Sequence, residues 1–135
     1  MRRLEGKVAL VTGAAQGLGE AIALRLAQEG CLGVAVADIN GAKAQEVADK
    51  IAQETGTETL AIAVNITDEA QTDAMVQAVV TKWGRVDVLV ANAGILKAHD
   101  IVEFPANEWQ AVINVNLVGY FLCAKSAAKA MIPQG

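Results

Sequence analysis

At 135 residues and 53% hydrophobic content, the chain has the length of one domain, residues 1–135, and ample apolar surface for a core. Its net charge is −4, with Lys and Arg scattered singly apart from Arg2 and Arg3, which argues against a nucleic-acid or anionic-membrane partner. The two cysteines, Cys31 and Cys123, lack CxxC spacing and the single histidine, His99, has no partner histidine, so no metal site is expected.

Both thiols read as small buried hydrophobes and His99 as a solvated loop residue, in reducing, cytoplasmic conditions. Arg2 and Arg3 are followed by "LEGKVALVTGAAQG", which Glu5, Lys7 and glycines interrupt, so no signal peptide is expected. The longest charge-free run, residues 109–124, is too short to span a bilayer comfortably and reads as a buried helix.

"KVALV", residues 7–11, is a short β-branched run suited to a buried parallel strand. Leu18, Ile22 and Leu26 then recur every four residues beside Ala21, and Gly30 supplies a helix stop. "GVAVAD" from Gly33 predicts a second strand, and Asn40 caps a helix carrying Ala44, Val47, Ala48 and Ile51 that ends at Gly56.

A third strand is expected over residues 59–64, "TLAIAV". Thr67 is expected to cap the next helix, whose inner face carries Met75, Val79 and Trp83 and which Gly84 closes. "VDVLV", residues 86–90, predicts a fourth strand, followed past Pro105 by a long helix from about Asn107 towards Ile132, stopped by Pro133. This alternation implies an α/β fold, a doubly wound parallel sheet of the Rossmann type with right-handed crossovers.

In such sheets ligands bind beyond the carboxyl ends of the strands, where the first loop feeds a helix N-terminus that attracts anions. Gly13, Gly17 and Gly19 lie there, so that phosphates reach backbone N–H groups and the helix packs closely on the strand. Nineteen residues after Gly19, Asp38 ends the second strand, where a carboxylate accepts hydrogen bonds from adenosine ribose hydroxyls and repels a 2′-phosphate. Ala14, Ala15, Ile39 and Asn40 bring no positive charge, so NAD is preferred to NADP as the cofactor.

These residues resemble the short-chain dehydrogenase/reductase family. "TGAAQGLG" from Thr12 matches its TGxxxGxG pattern, "ANAG" from Ala91 is similar to its NNAG motif, and "NVNLVGYF" resembles the segment bearing its catalytic asparagine, here Asn116. The resemblance implies that Gly13, Leu18 and Gly19, with Gln16 and Gly17 in the same segment, approach the pyrophosphate, and that Asp38 holds the adenosine ribose. It also implies Asn92, Ala93 and Gly94 beside the nicotinamide-side ribose, and Asn65 with Ile66 at the adenine. Two positions depart from the family pattern: Asn65 replaces the aspartate of "DVT" and keeps an acceptor oxygen without the charge, and Ala91 replaces the first asparagine of NNAG.

A larger departure concerns proton transfer. The family uses a tyrosine with a lysine four residues later and a serine, whereas Ala124 stands four residues after Tyr120. Tyr120, Lys125 and Ser126, the one serine, read as packing and surface residues. The chain therefore resembles the amino-terminal, dinucleotide-binding half of an NAD-dependent oxidoreductase of secondary alcohols or ketones, truncated after the fourth strand and long helix and inactive alone. "NVNLVGYFLCAK" faintly resembles sugar-alcohol dehydrogenases of the family. A small-molecule substrate is then expected only with the missing half, and a homo-oligomer only in full-length form.

Two other functions compete: a non-catalytic dinucleotide-sensing module, and an adenosyl-methionine methyltransferase, which also pairs a glycine loop with an acidic residue after strand two. With the strand order 3-2-1-4 that the family resemblance implies, "VDVLV" becomes an uncovered edge. Several of Val112, Val115, Leu117, Phe121 and Leu122 are expected at the surface, and self-association is expected with them.

Overall fold

The computed structural model describes residues 2–135. In chain order the elements are β1 (Val8–Thr12), α1 (Gly17–Gln28), β2 (Gly33–Asp38), α2 (Gly41–Thr55), β3 (Glu58–Ala63), α3 (Glu69–Trp83) and β4 (Val88–Val90). A long helical rod follows, consisting of α4 (Ala106–Ile113), a π-helical segment (Asn114–Gly119) and α5 (Tyr120–Gln134). The strands form a parallel sheet in the order β3-β2-β1-β4, the order that the family resemblance implied.

β1 lies inside the sheet and all five of its residues are buried, which is why it reads as an unbroken apolar run. Its side chains alternate between two cores. Ala9 and Val11, with Val34 and Val36 of β2, meet Ala23, Ala27, Ala44, Ala48 and Ile51 of α1 and α2. Val8 and Leu10, with Ala35 and Ala37, meet Met75, Val79, Cys123 and Ala127 of α3 and α5. The sheet is therefore covered by helices on both faces, and all strand carboxyl ends point to one edge.

The glycines after α2 and α3 do what the sequence implied: Gly56 and Gly84 adopt left-handed φ of 73° and 77° and end their helices. Asn40 caps α2 by accepting from the Lys43 N–H at 3.1 Å. The cap of α3 is Asp68 rather than Thr67: Asp68 accepts from the Gln71 N–H at 3.2 Å, while the Thr67 hydroxyl donates to Asn65 Oδ1 at 2.7 Å and is taken. A carboxylate also meets the N-terminal helix dipole better than a hydroxyl does.

The rod departs most from expectation. It does not stop at Pro133, which sits in the last turn, where its missing N–H forfeits one hydrogen bond at a fraying end. Nor is it buried throughout: α4 has no buried residue, and Leu117 and Phe121 are exposed, whereas Leu122 is buried and Val112 and Val115 are half-buried. The continuous run Ala106–Gln134 is 29 residues long and contains an 18-residue window of mean hydropathy 1.3, enough by length and composition to cross a membrane, which the charge-free residues alone did not suggest. It carries Lys125 and Lys129, paired with Glu69 and Asp73 of α3 at 2.7 and 3.6 Å, and Ser126 donates to Asp73 at 2.5 Å. These contacts fix α5 to α3.

Both cysteines are free and buried, as expected. Burial pushes the Cys123 thiol up to about 11, so it stays protonated and inert. His99 is not simply solvated: it pairs with Glu108 and stands edge-on to Phe104, holding the loop that precedes α4.

Candidate dinucleotide site

Beyond the carboxyl ends of the strands lies a cleft of about 480 Å³. Each strand contributes one portion of its wall, and the order of the portions follows the order of the strands.

After β1 the chain turns through Gly13 at φ 63° and Gly17 at φ 58°, conformations that side chains other than glycine rarely adopt. Gly13, Gln16, Gly17 and Leu18 line the cleft. α1 opens here with no side-chain cap, whereas α2 and α3 are capped by Asn40 and Asp68. Its first-turn N–H groups lack a side-chain acceptor among the described residues, which suits an anion. Gly19 does not line the cleft. A Cβ there would lie 2.1 Å from the Gly13 carbonyl oxygen and 2.6 Å from Asn92 Nδ2, so this glycine permits helix and loop to touch.

At the end of β2, Asp38 lines the cleft with its carboxylate fixed: Oδ2 accepts from the Ala15 N–H at 3.1 Å and Oδ1 from the Asn40 N–H at 2.9 Å. Each oxygen keeps a lone pair for a further donor. A cation that sequence reasoning missed stands nearby: Lys43, one turn into α2, donates through Nζ to Gln16 Oε1 at 3.2 Å. The only sequence signal was the Asn40 cap, which turns the first helical turn back towards the glycine loop.

After β3 the wall is Val64, Asn65 and Ile66, faced by Ile39. Asn65 Oδ1 accepts from both the N–H and the hydroxyl of Thr67, at 3.0 and 2.7 Å. After β4 come Asn92, Ala93, Gly94 and Ile95. The Asn92 amide bridges back to β1, and Asn116 in the π segment exchanges two bonds with Ile95: Oδ1 accepts from its N–H and Nδ2 donates to its carbonyl, each at 2.9 Å. Asn116 thus borders the cleft through Ile95 rather than lining it. Val64 and Ile95, which sequence reasoning did not single out because apolar residues at strand ends look like ordinary core, join Ile39 and Val115 of the π segment as apolar wall residues.

Glycine turns, an uncapped helix N-terminus and a fixed carboxylate fit the pyrophosphate and ribose of a dinucleotide. Residues 7–135 match the short chain dehydrogenase family. The chain belongs to it. Short-chain dehydrogenases similar to this chain include a 3-oxoacyl-[acyl-carrier-protein] reductase from Synechocystis sp., 39% identical over 99% of this chain and 54% of its own length. Among solved structures, a short-chain type dehydrogenase/reductase from Mycobacterium marinum is 38% identical with a TM-score of 0.93, over 97% of this chain and 52% of its own. An NAD+-bound xylitol dehydrogenase matches with a TM-score of 0.93 and 33% identity, over 98% of this chain and 50% of its own.

The chain thus spans about half the length of these short-chain dehydrogenases, a family of oxidoreductases that use nicotinamide dinucleotides. Membership sets aside the methyltransferase alternative. Tyr120 is half-buried and packs on the α3 side of the sheet, Lys125 is paired with Glu69, and Ser126 is bonded to Asp73 and Thr72. Each has a structural partner away from the cleft wall.

Proposed function

We propose that this chain binds NAD across the strand ends and is the dinucleotide-binding portion of an oxidoreductase acting on a secondary alcohol or ketone, without turnover by the 135 residues alone. The observation that carries the reading is Asp38. Its carboxylate, fixed by the Ala15 and Asn40 N–H groups, stands beside the glycine loop and accepts ribose hydroxyls while disfavouring a phosphate on the same ribose.

The nicotinamide ring supplies or accepts the hydride when bound. The chain's own residues do the holding: the α1 N-terminus takes the pyrophosphate, Asp38 orients one ribose, and Asn92 to Gly94 bound the other end. Asn116 keeps Ile95 in place. The two buried free thiols fit a reducing compartment such as the cytoplasm.

Support for a sugar-alcohol substrate comes from the likeness to the xylitol dehydrogenase structure and from "NVNLVGYFLCAK". Titration calorimetry of the purified chain tests the reading, with NAD binding more tightly than NADP as the expected result. Equal affinities remove the basis in Asp38. NAD-dependent oxidation of an alcohol by the chain alone contradicts the absence of turnover, and binding without turnover is shared with a sensing module.

A further inference from the structure

Two contacts made by the π segment join walls that the sheet keeps apart. β3 and β4 are the outermost strands, so the residues that follow them stand at opposite ends of the cleft. Asn116 exchanges its two bonds with Ile95, after β4, and a Cβ at Gly94 would lie 3.4 Å from Asn116 Oδ1, in ordinary contact with the same amide. Gly119, in the same segment, meets the other wall.

Ile66, after β3, occupies the space that a side chain at Gly119 would fill: a Cβ there would lie 2.7 Å from Ile66 Cδ1 and 2.9 Å from Cγ1. Gly119 is buried and Ile66 is 6% exposed, so no water separates them. Ile66 also lines the cleft and belongs to the core on which Val115 and Tyr120 of the rod pack. Its side chain thus stands between a ligand and helix backbone. An occupant pressed against it from the cleft takes away the room it needs to leave Gly119.

We propose that Ile66 is a positioning residue for the opposite wall: an occupant of the adenosine end holds Ile66 on Gly119, steadies the π segment, and so holds Ile95 through Asn116. The inference rests on the dinucleotide reading of the cleft, in which the adenosine end lies between Asp38 and Ile66. Close-packed side chains transmit such restraint because they have few alternative arrangements. A π turn is rare and recurs at functional sites, and here one short stretch makes both contacts. The coupling is reciprocal, so order at Ile95 returns to the adenosine end as affinity.

Adenosine monophosphate tests the relay, because it carries nothing of the nicotinamide half and a change at the Ile95 N–H must then travel through the protein. Hydrogen exchange of that amide is followed by NMR on the 135-residue chain, with and without saturating adenosine monophosphate. The expected result is exchange slower by about fivefold or more in the wild type, and a change of less than about twofold in saturated Ile66→Ala. Should Ile66→Ala not fold, Ile66→Val loses only Cδ1, the atom nearest Gly119, and is expected to show less slowing than the wild type. Unchanged exchange in the wild type, equal slowing in a folded variant, or equal slowing at Leu10 inside the sheet overturns the inference and leaves the dinucleotide reading intact. Failure of adenosine monophosphate to bind where NAD binds does the same, and failure of both to bind overturns both.

Discussion

Asn92 holds Thr12 twice: its backbone N–H donates to the Thr12 hydroxyl at 3.1 Å and its side-chain amide donates to the Thr12 carbonyl at 3.2 Å. The same hydroxyl accepts from the Ala93 N–H at 3.2 Å, and the same amide reaches the Gly13 carbonyl at 3.2 Å. The loops after β1 and β4 are therefore one unit. Thr12→Val, nearly isosteric at a fully buried position, strands two N–H groups and is expected to destabilise the fold by about 1–3 kcal/mol and weaken NAD binding. Thr12→Ser is expected to retain both. Urea denaturation and calorimetry of the pair read the outcome, and an unchanged midpoint for Thr12→Val refutes the hydroxyl's role.

Gly19→Ala and Gly17→Ala separate two uses of glycine in one loop. A Cβ at Gly19 meets the Gly13 carbonyl oxygen at 2.1 Å, which backbone must move to relieve, whereas a Cβ at Gly17 meets nothing within 4 Å and bears only the strain of φ 58°. Gly19→Ala is expected to cost about 1–3 kcal/mol and to displace the loop, with NAD affinity falling about tenfold or more. If the two variants lose equal stability, close packing at Gly19 is not the constraint.

Cofactor choice is expected to respond in opposite directions to Asp38 and Lys43. Asp38→Ala removes repulsion of a 2′-phosphate together with ribose hydrogen bonds, and should narrow the preference for NAD over NADP. Lys43→Ala removes the nearby cation that Gln16 holds, and should widen it. Competitive titrations of both dinucleotides against each variant give the ratios; a Lys43→Ala ratio equal to wild type means the ammonium does not reach the ribose.

Acid should loosen the sheet at its other end. Arg85 beside Asp87, helped by the Val8 N–H donating at 2.9 Å, holds the Asp87 carboxyl below the usual aspartate range. A depressed folded-state value means that this stabilisation is fully present above the ordinary unfolded value near about 3.9 and is lost as pH falls through the folded one. Asp87→Asn is expected to lose about 1–3 kcal/mol at neutral pH and to show a shallower loss below pH about 4. Denaturation midpoints at several pH values test both parts.

Self-association is the expected behaviour of the purified chain. β4 lies at the edge of the sheet, and Leu117 and Phe121 are 64% and 61% exposed on the rod. Sedimentation at low micromolar concentration should give species larger than one chain, and Phe121→Lys should shift the distribution towards monomer. A monomer across that range contradicts the expectation.

The sheet and most of the cleft wall were legible because local chemistry there has one outcome. β2 occupies Gly33 to Asp38 as expected, and ten proposed residues from Gly13 to Gly94 line one cleft. Where side chains compete, sequence gave less: Thr67 looked like a cap until Asn65 claimed its hydroxyl, and Lys43 looked like helix surface until Gln16 bonded it. On the rod, the long helix and the exposure of Leu117 and Phe121 were legible, whereas burial throughout was not, because an apolar run without charge reads the same whether its partner is this sheet or something else. Gly19 shows the close helix-to-strand packing that the glycine spacing implied, its neighbour being the Gly13 carbonyl, a contact partner set by how α1 docks on β1.

The π segment from Asn114 to Gly119 sets the phase of the rod. A π turn holds more residues than an α turn, and each residue advances an α-helix by about 100°. Ahead of it and within it, Asn116 is aimed at Ile95; behind it, Leu122, Cys123 and Ala127 are aimed at the sheet. An unbroken α-helix of the same sequence could satisfy one of these aims but would rotate the other away. Converting the segment to α-helix at unchanged length should therefore rotate Leu122, Cys123 and Ala127 from the sheet by about 100°, whereas removing one residue other than Asn116 from it should let an unbroken α-helix keep both aims.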